Sequence, residues 1–121
     1  MGYNRFEEMP VWHKAMDLSV AIFKLTEGLP RKEDYGLTSQ IRRAALSISA
    51  NIAEGFGRKH TKDKLNFYYN ARGSLAETKN HLIYGQKVGY LTDSEFEEAV
   101  GTIEVIWKEL NFIIASLCKT S

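Results

Sequence analysis

The ionisable side chains of this 121-residue chain form few combinations that could support catalysis. The nearest approach to an acid–base or metal site is Glu77 with His81, a Glu-x-x-x-His spacing that occurs once. Di-iron helical bundles need Glu-x-x-His pairs that project inward from two helices. The chain also lacks a Gly-x-Ser-x-Gly motif and a Walker-type phosphate loop. We therefore predict no catalytic residue, no metal and no cofactor, and keep a buried Glu77–His81 acid–base site as the weaker alternative.

Basic residues are concentrated in one part of the chain and acidic residues in another. Residues 31–64 include eight basic and four acidic residues, whereas residues 92–110 include six acidic residues and one lysine. Basic side chains neutralise phosphates and aromatic side chains stack on unpaired bases, so this region and the nearby Phe67, Tyr68 and Tyr69 indicate nucleic-acid binding. The candidate phosphate contacts are Arg42, Arg43, Arg58, Lys59, Lys62 and Lys64.

Two further features qualify this prediction. The net charge is only +1, so one chain would bind weakly, whereas an assembly that repeats the basic surface would bind by avidity. The Gly55-Phe56-Gly57 segment, followed by basic residues, fits a phosphate cradle, but a helix C-terminus with a solvated basic loop is the simpler interpretation.

Two polar stripes at helical spacing are the most informative pattern in the sequence. The first accompanies an apolar face and contains Gln40, Arg43, Ser47, Asn51, Glu54 and Arg58. The second contains Asn66, Asn70, Gly73, Ser74, Glu77 and His81. We expect the two stripes to meet in a structural network or at a subunit interface; the alternative is that both face water. A mid-helix glycine costs roughly 1 kcal/mol relative to alanine, so we expect Gly73 to face a tight helix–helix contact.

The elements that carry these residues are four predicted helices, at about residues 10–26, 35–56, 61–88 and 92–118. Pro10 suits a first-turn position, Thr61 is a predicted N-cap, Gly89 is a predicted stop, and Thr92 with Glu95 forms a predicted capping box. Short connections favour neighbouring helices that run antiparallel. The sequence therefore predicts an all-α, up-down-up-down four-helix bundle formed by a single domain, residues 1–121.

The first and fourth predicted helices have apolar residues at four-three spacing, which is typical of a bundle core. The first row is Val11, Ala15, Leu18, Ile22 and Leu25. The second is Phe96, Val100, Ile103, Trp107, Leu110, Ile114 and Leu117, widened by Ala99, Ile106 and Ile113. Because one core needs only a narrow row, the excess on the fourth helix indicates deep burial or a subunit interface.

The chain contains one cysteine, Cys118, which we expect to be a buried apolar residue because it ends an apolar run. A single cysteine excludes an intramolecular disulfide and fits a reducing compartment. No apolar run approaches the roughly 20 residues that span a membrane, and the first residues lack the apolar core of a signal peptide. We expect a cytoplasmic protein without a membrane partner.

A set of short motifs extends over most of the chain. It comprises Trp12, Tyr35-Gly36-Leu37, Gln40, Arg42-Arg43-Ala44-Ala45, Ser47-Ile48, Asn51-Ile52-Ala53-Glu54-Gly55, Arg58, Phe67, Ala71 and Gly73-Ser74-Leu75-x-Glu77. This set resembles the bacterial four-helix-bundle proteins first noticed as reading frames within intervening sequences of 23S ribosomal RNA genes. It is also similar to the accessory variability protein of diversity-generating retroelements, a basic helical bundle that binds reverse transcriptase and nucleic acid.

The resemblance implies an antiparallel bundle that assembles as a homopentameric barrel and has no enzymatic activity. Its implied partners are further copies of the chain, RNA or DNA, and a reverse transcriptase or other protein. The expected function is therefore an oligomer that binds structured RNA or DNA through a repeated basic surface. A scaffold that contacts only proteins, with its basic residues used between subunits, is the alternative.

Overall fold

The structure, a computed structural model, describes residues 2–120 and places most of them in four helices. These are α1 (Pro10–Thr26), α2 (Leu37–Phe56), α3 (Thr61–Lys87) and α4 (Asp93–Thr120). α1 and α3 each pack against α2 and α4, and therefore lie diagonally across the bundle. Residues 2–120 contain no strand. The predicted all-α four-helix bundle is confirmed.

α2 and α3 are antiparallel, as close approaches near both ends of the bundle show. Near one end, a Cβ on Gly85 of α3 would contact Leu37 at the start of α2 at 3.7 Å. Near the other end, a Cβ on Gly55 of α2 would lie 3.1 Å from Phe67 in α3. We name the two ends by their connections: the α1–α2 end, which also holds the α3–α4 loop, and the α2–α3 end.

Three of the four predicted helix-end signals are confirmed. Pro10 is the first residue of α1, Gly89 has the only positive φ (86°) in residues 2–120, and the Thr92–Glu95 capping box has two bonds of 3.0 Å. The predicted N-cap at Thr61 is wrong. The carbonyl of His60 already accepts a helical bond from the Lys64 N–H at 3.0 Å, so Thr61 is the first helical residue.

α2 begins two residues later than predicted because a carboxylate caps it. Glu33 Oε1 accepts a hydrogen bond from the Leu37 N–H at 3.1 Å, and Glu33 Oε2 accepts one from the Tyr90 hydroxyl at 2.9 Å. A Cβ on Gly36 would lie 2.9 Å from Glu33 Oε1, so glycine permits this approach. The Leu37 N–H and then the Tyr90 hydroxyl lower the pKa of Glu33.

The core is an apolar interior to which all four helices contribute. Its largest completely buried side chains include Leu18, Ile22, Ile48, Ile52, Leu75, Leu82, Ile106 and Leu110. In α1, Val11, Ala15, Leu18 and Ile22 are buried as predicted, but Thr26 completes the row instead of Leu25, which is half-buried. The Thr26 hydroxyl remains satisfied because it donates to the Ile22 carbonyl at 2.7 Å.

The apolar face predicted for α4 is confirmed except at Trp107, and the predicted burial of Cys118 is wrong. Ala99, Ile103, Ile106, Leu110 and Ile114 are buried, whereas Trp107 is 40% exposed. The buried residues come from the predicted row and from its predicted widening, and only Trp107 of the row lies largely outside the core. Cys118 is exposed, since it lies beyond Ile114, the last buried residue of the helix. Among the described helices, none combines the length and apolarity needed to cross a membrane.

Candidate nucleic-acid interface

Arg42, one of the six predicted phosphate contacts, is half-buried and binds the C-terminus of α1. Its Nε donates to Thr26 Oγ1 at 2.8 Å, and its Nη2 donates to the Phe23 carbonyl at 3.2 Å. The guanidinium also lies 4.3 Å from the centre of the Phe23 ring. Carbonyls at a helix C-terminus attract cations, so Arg42 stabilises the end of α1. This geometry differs from the free phosphate contact that the sequence suggested.

Lys64 has the same structural role at the C-terminus of α2. Its Nζ donates to the Phe56 carbonyl at 2.8 Å and to the Gly55 carbonyl at 3.3 Å. The side chain is half-buried, and this burial lowers the pKa of its amine. The Gly55-Phe56-Gly57 segment is therefore a helix end whose carbonyls bind a lysine. It does not direct N–H groups to a phosphate.

The four other predicted phosphate contacts are exposed to solvent. Arg58 donates to Glu54 Oε2 at 3.0 Å and lies over the Phe67 ring at 4.7 Å. Lys59 and Lys62 are exposed, and no carboxylate in residues 2–120 pairs with either. We define Arg58, Lys59, His60 and Lys62 as the turn patch.

Arg43 does not belong to the turn patch. It is exposed on α2 without an ionic partner in the described chain, and its distance from Arg58 along the helix axis is about 20 Å at 1.5 Å per residue. The sequence therefore grouped cations that the fold separates into two capping residues, one compact patch and one isolated arginine.

The three aromatic residues that follow the turn do not form one stacking surface. Tyr68 is 3% exposed, and burial raises the pKa of its hydroxyl to about 12. Phe67 is half-buried beneath Arg58, whereas Tyr69 is 42% exposed and lies beside Arg72, with 5.2 Å between guanidinium and ring centre. Of these three residues, only Tyr69 is exposed.

The two polar stripes do not join in a network within the chain. Asn51 Nδ2 donates to the Ser47 carbonyl at 2.8 Å, and the Arg58–Glu54 bond also stays on one helix. Gln40, Arg43, Glu54 and Glu77 are exposed, while Ser47, Asn51, Ser74 and His81 are half-buried. In residues 2–120 no side-chain hydrogen bond connects one stripe to the other. The intrachain form of the prediction is wrong, and the subunit-interface form stays a prediction.

Gly73 does not face a helix–helix contact within the chain, which corrects the prediction for this residue. A Cβ built on Gly73 would meet nothing within 4 Å. The close approaches are at other glycines. A Cβ on Gly55 would lie 2.9 Å from the Tyr68 ring, and one on Gly85 would lie 3.3 Å from Leu91. A mid-helix glycine lowers helix stability, and within one subunit no contact at Gly73 offsets this loss.

Glu77 is exposed and pairs with the half-buried His81. Glu77 Oε2 and His81 Nε2 are 3.4 Å apart, and the side chain of Glu77 is 58% exposed. The buried acid–base alternative required a desolvated carboxylate, which this geometry contradicts. No group of three histidine, cysteine, aspartate or glutamate residues within the described part of the chain could hold a metal ion.

A cluster between α3 and α4 was missed by sequence reasoning. Arg72 Nη1 donates to Asn111 Oδ1 at 2.8 Å, and the Arg72 guanidinium lies 5.6 Å from the Trp107 ring centre. Tyr69 extends this cluster on the α3 side. Arg72 and Asn111 are 39 positions apart along the chain, so no local spacing could have revealed their contact.

These observations define a four-helix-bundle protein with a basic turn. The chain belongs to the 23S rRNA-intervening sequence protein family, whose sequence profile matches residues 7–112. It is also similar to the 1.70 Å crystal structure of a protein with unknown function from the S23 ribosomal protein family of Bacteroides thetaiotaomicron VPI-5482.

The two structures share a TM-score of 0.78 and 26% sequence identity, over 86% of this chain and 97% of that chain. No curated protein matches the sequence significantly. The predicted family resemblance is confirmed. Neither the family nor the Bacteroides protein is described with an enzymatic activity.

Proposed function

We propose that the protein is a non-enzymatic homo-oligomer that binds structured RNA or DNA through the turn patch of each subunit. The observation that carries the proposal is the exposure of Lys59 and Lys62 without carboxylate partners in residues 2–120. Arg58 lies beside them and leaves part of its guanidinium exposed. Each such cation that contacts a phosphate releases a counterion and adds about 0.9 to the salt slope of duplex binding.

Exposed surface on α2 and α4 supports the oligomer. Leu46 is 54% exposed, Val105 45% and Phe112 74%, which is unusual on the outer faces of bundle helices. The polar stripes add amides and hydroxyls without partners on the facing helix. Sister subunits would cover both kinds of surface. The proposed number of five subunits comes from the resemblance to the family. A reverse transcriptase or another protein is a further proposed partner.

The test is a binding titration of structured RNA at several salt concentrations, combined with light scattering of the free protein. The variant Lys59→Glu/Lys62→Glu reverses the two free charges of the patch. The matched control, Lys32→Glu/Lys87→Glu, makes the same charge change on exposed lysines at the α1–α2 end. We expect the patch variant to weaken binding at least about tenfold, with a smaller salt slope, and the control to have little effect.

The scaffold alternative predicts a different result for the same variants. If the turn patch serves only subunit contacts, Lys59→Glu/Lys62→Glu will dissociate the oligomer. An intact oligomer that loses RNA supports the binding function. Wild-type protein that shows no salt-sensitive binding of structured RNA below about 50 µM would remove the nucleic-acid proposal. A stable monomer in light scattering would remove the oligomer.

A further inference from the structure

The groove between α3 and α4 is a separate surface from the turn patch. It is an open groove with a volume of about 570 Å³, and its lining includes Ala76 and Asn80 from α3 and Trp107 and Lys108 from α4. This volume lies within the range of small-molecule sites. We infer that the groove binds a nucleotide, with the base stacked on Trp107 and the phosphate beside Lys108.

Trp107 provides the stacking surface. Its side chain is 40% exposed, although indole is among the largest apolar groups that a bundle core can bury. Ala76, which also lines the groove, is exposed and carries only a methyl group, so it leaves room beside the ring. Leu75 and Ile103 are buried at the base of the groove and make it apolar there. A flat aromatic base fits a site with these properties.

Arg72 holds the indole in place from one side. Its guanidinium is 5.6 Å from the Trp107 ring centre and 5.2 Å from that of Tyr69, and Asn111 accepts its hydrogen bond at 2.8 Å. Cation–π contacts of this kind favour one ring orientation. This contact restricts the indole before a ligand arrives, and such restriction lowers the entropy lost on binding.

The charges in and beside the groove complement a phosphate. Lys108 has no carboxylate partner within residues 2–120, whereas Lys79 is 3.6 Å from Glu104. Together with Arg72, this gives three cations and one carboxylate, an excess of positive charge beside an aromatic wall. Asn80 adds an amide that can donate to or accept from a base edge. A ligand with a planar base and an anionic phosphate satisfies both features.

This nucleotide could be free or an unpaired residue of an RNA or DNA strand. The second source deepens the proposed function and rests on it, because the strand would also contact the turn patch. The first source does not depend on the turn patch. A second copy of the chain is the competing occupant of the groove, and the experiment below separates it from both.

Tryptophan fluorescence provides the test because the chain has only two tryptophans, Trp12 and Trp107. Trp12 packs beside Phe6, with ring centres 5.1 Å apart, and serves as an internal reference. Wild type, Trp12→Phe and Trp107→Phe are titrated with AMP, with single-stranded oligoadenylate, with a fully paired duplex and with inorganic phosphate. We expect AMP or oligoadenylate to quench wild type and Trp12→Phe saturably, and to leave Trp107→Phe unquenched.

The two sources give different supporting results. Quenching by AMP shows that a free nucleotide suffices, whereas quenching by oligoadenylate alone shows that the base must belong to a strand. Lys59→Glu/Lys62→Glu is expected to preserve quenching by AMP. Loss of stacking in Trp107→Ala weakens binding about tenfold to a hundredfold, measured with a labelled ligand, and Lys108→Glu weakens it about tenfold.

The inference is overturned if neither AMP nor oligoadenylate quenches Trp107 selectively, or if inorganic phosphate or the duplex quenches it equally well. It is also overturned if Trp107→Ala remains helical but dissociates an oligomer, because the groove is then covered by a second copy. Salt-dependent binding of structured RNA that persists without any Trp107 signal would leave the proposed function intact and remove only this site.

Discussion

The two ends of the bundle use their basic residues differently. At the α1–α2 end, Arg42 binds the C-terminus of α1, and Glu33 caps α2 while it accepts the Tyr90 hydroxyl. At the α2–α3 end, Lys64 binds the C-terminus of α2, but Lys59 and Lys62 have no carboxylate partner in residues 2–120. Each end thus holds one basic side chain against helix carbonyls and also has exposed lysines. The ends differ because Arg31 and Lys32 are followed directly by two acidic residues, whereas residues 58–62 include none.

The difference shows why a basic segment is a poor guide to a binding surface. Arg42 and Arg43 are adjacent in sequence, as members of one predicted set, yet one closes a helix end and the other is exposed. A cation within reach of unsatisfied helix carbonyls is stabilised by them. Substitutions should therefore separate residues that maintain the fold from residues that are free for partners.

The largest expected effect is a loss of stability at Gly55, where α2 packs closely against α3. Gly55→Ala would place a Cβ 2.9 Å from the Tyr68 ring, and such overpacking costs about 1–3 kcal/mol. Gly73→Ala is the matched control, because its Cβ meets nothing within 4 Å, and it should stabilise one subunit by about 0.5–1 kcal/mol. Urea unfolding measures both changes. A Gly73→Ala variant that loses its oligomeric state would instead place Gly73 in the subunit interface.

The adjacent arginines test the α1–α2 end. Arg42→Ala removes bonds to Thr26 and Phe23 and should lower the free energy of unfolding by about 1–2 kcal/mol. Arg43→Ala should change it by less than about 0.5 kcal/mol, as for other surface positions. Equal losses in stability would contradict the division into structural and free cations.

The same comparison can be made at the α2–α3 end with two lysines. Lys64→Met keeps the aliphatic packing but removes the bonds to the Gly55 and Phe56 carbonyls, at a cost of about 1 kcal/mol. Lys62→Met should leave stability nearly unchanged and weaken RNA binding. Thermal unfolding and a binding titration on both variants measure the two effects. If the Lys64→Met protein is stable but binds RNA more weakly, Lys64 belongs to the nucleic-acid interface.

The smallest effect concerns pH at the α1–α2 end. Hydrogen bonds from Leu37 N–H and Tyr90 hold the pKa of Glu33 below its ordinary value of 4.5. A lowered native pKa gives stability that is present above the unfolded-state pKa and is lost as pH falls through the native value. Glu33→Gln should therefore reduce Tm slightly at pH 6 and make Tm less sensitive to pH below about 4.5. Parallel Tm–pH curves for wild type and variant would refute this role.

Local patterns predicted the helices well because the signals that begin and end a helix are themselves local. Pro10, Gly89 and the Thr92–Glu95 pair act through backbone groups within a few residues. The start of α2 was predicted less well because Tyr90, from the distant α3–α4 loop, helps to hold the capping carboxylate of Glu33. Prediction failed where a partner comes from another element.

The candidate site also has features that local sequence predicted and features that depend on another element. Sequence indicated that residues 58–62 are basic, and the structure leaves most of that charge accessible. It did not indicate that Lys64 turns back to the α2 carbonyls, that Tyr68 enters the core, or that Trp107 leaves it. Each of these outcomes depends on the rotation of one helix against another. Periodicity gives the angular order of residues around a helix, but it does not give the angle at which the helix faces the core.

The sequence by itself determined four amphipathic helices, the order of their connections and the family, because helical spacing and capping residues act over a few positions. Only the tertiary structure decided which polar and basic residues remain available. That outcome depends on which helix carbonyls, rings and carboxylates the packed bundle brings within hydrogen-bonding distance. The groove beside Trp107 arises from the same cause, since its walls come from two helices whose facing residues no local pattern connects.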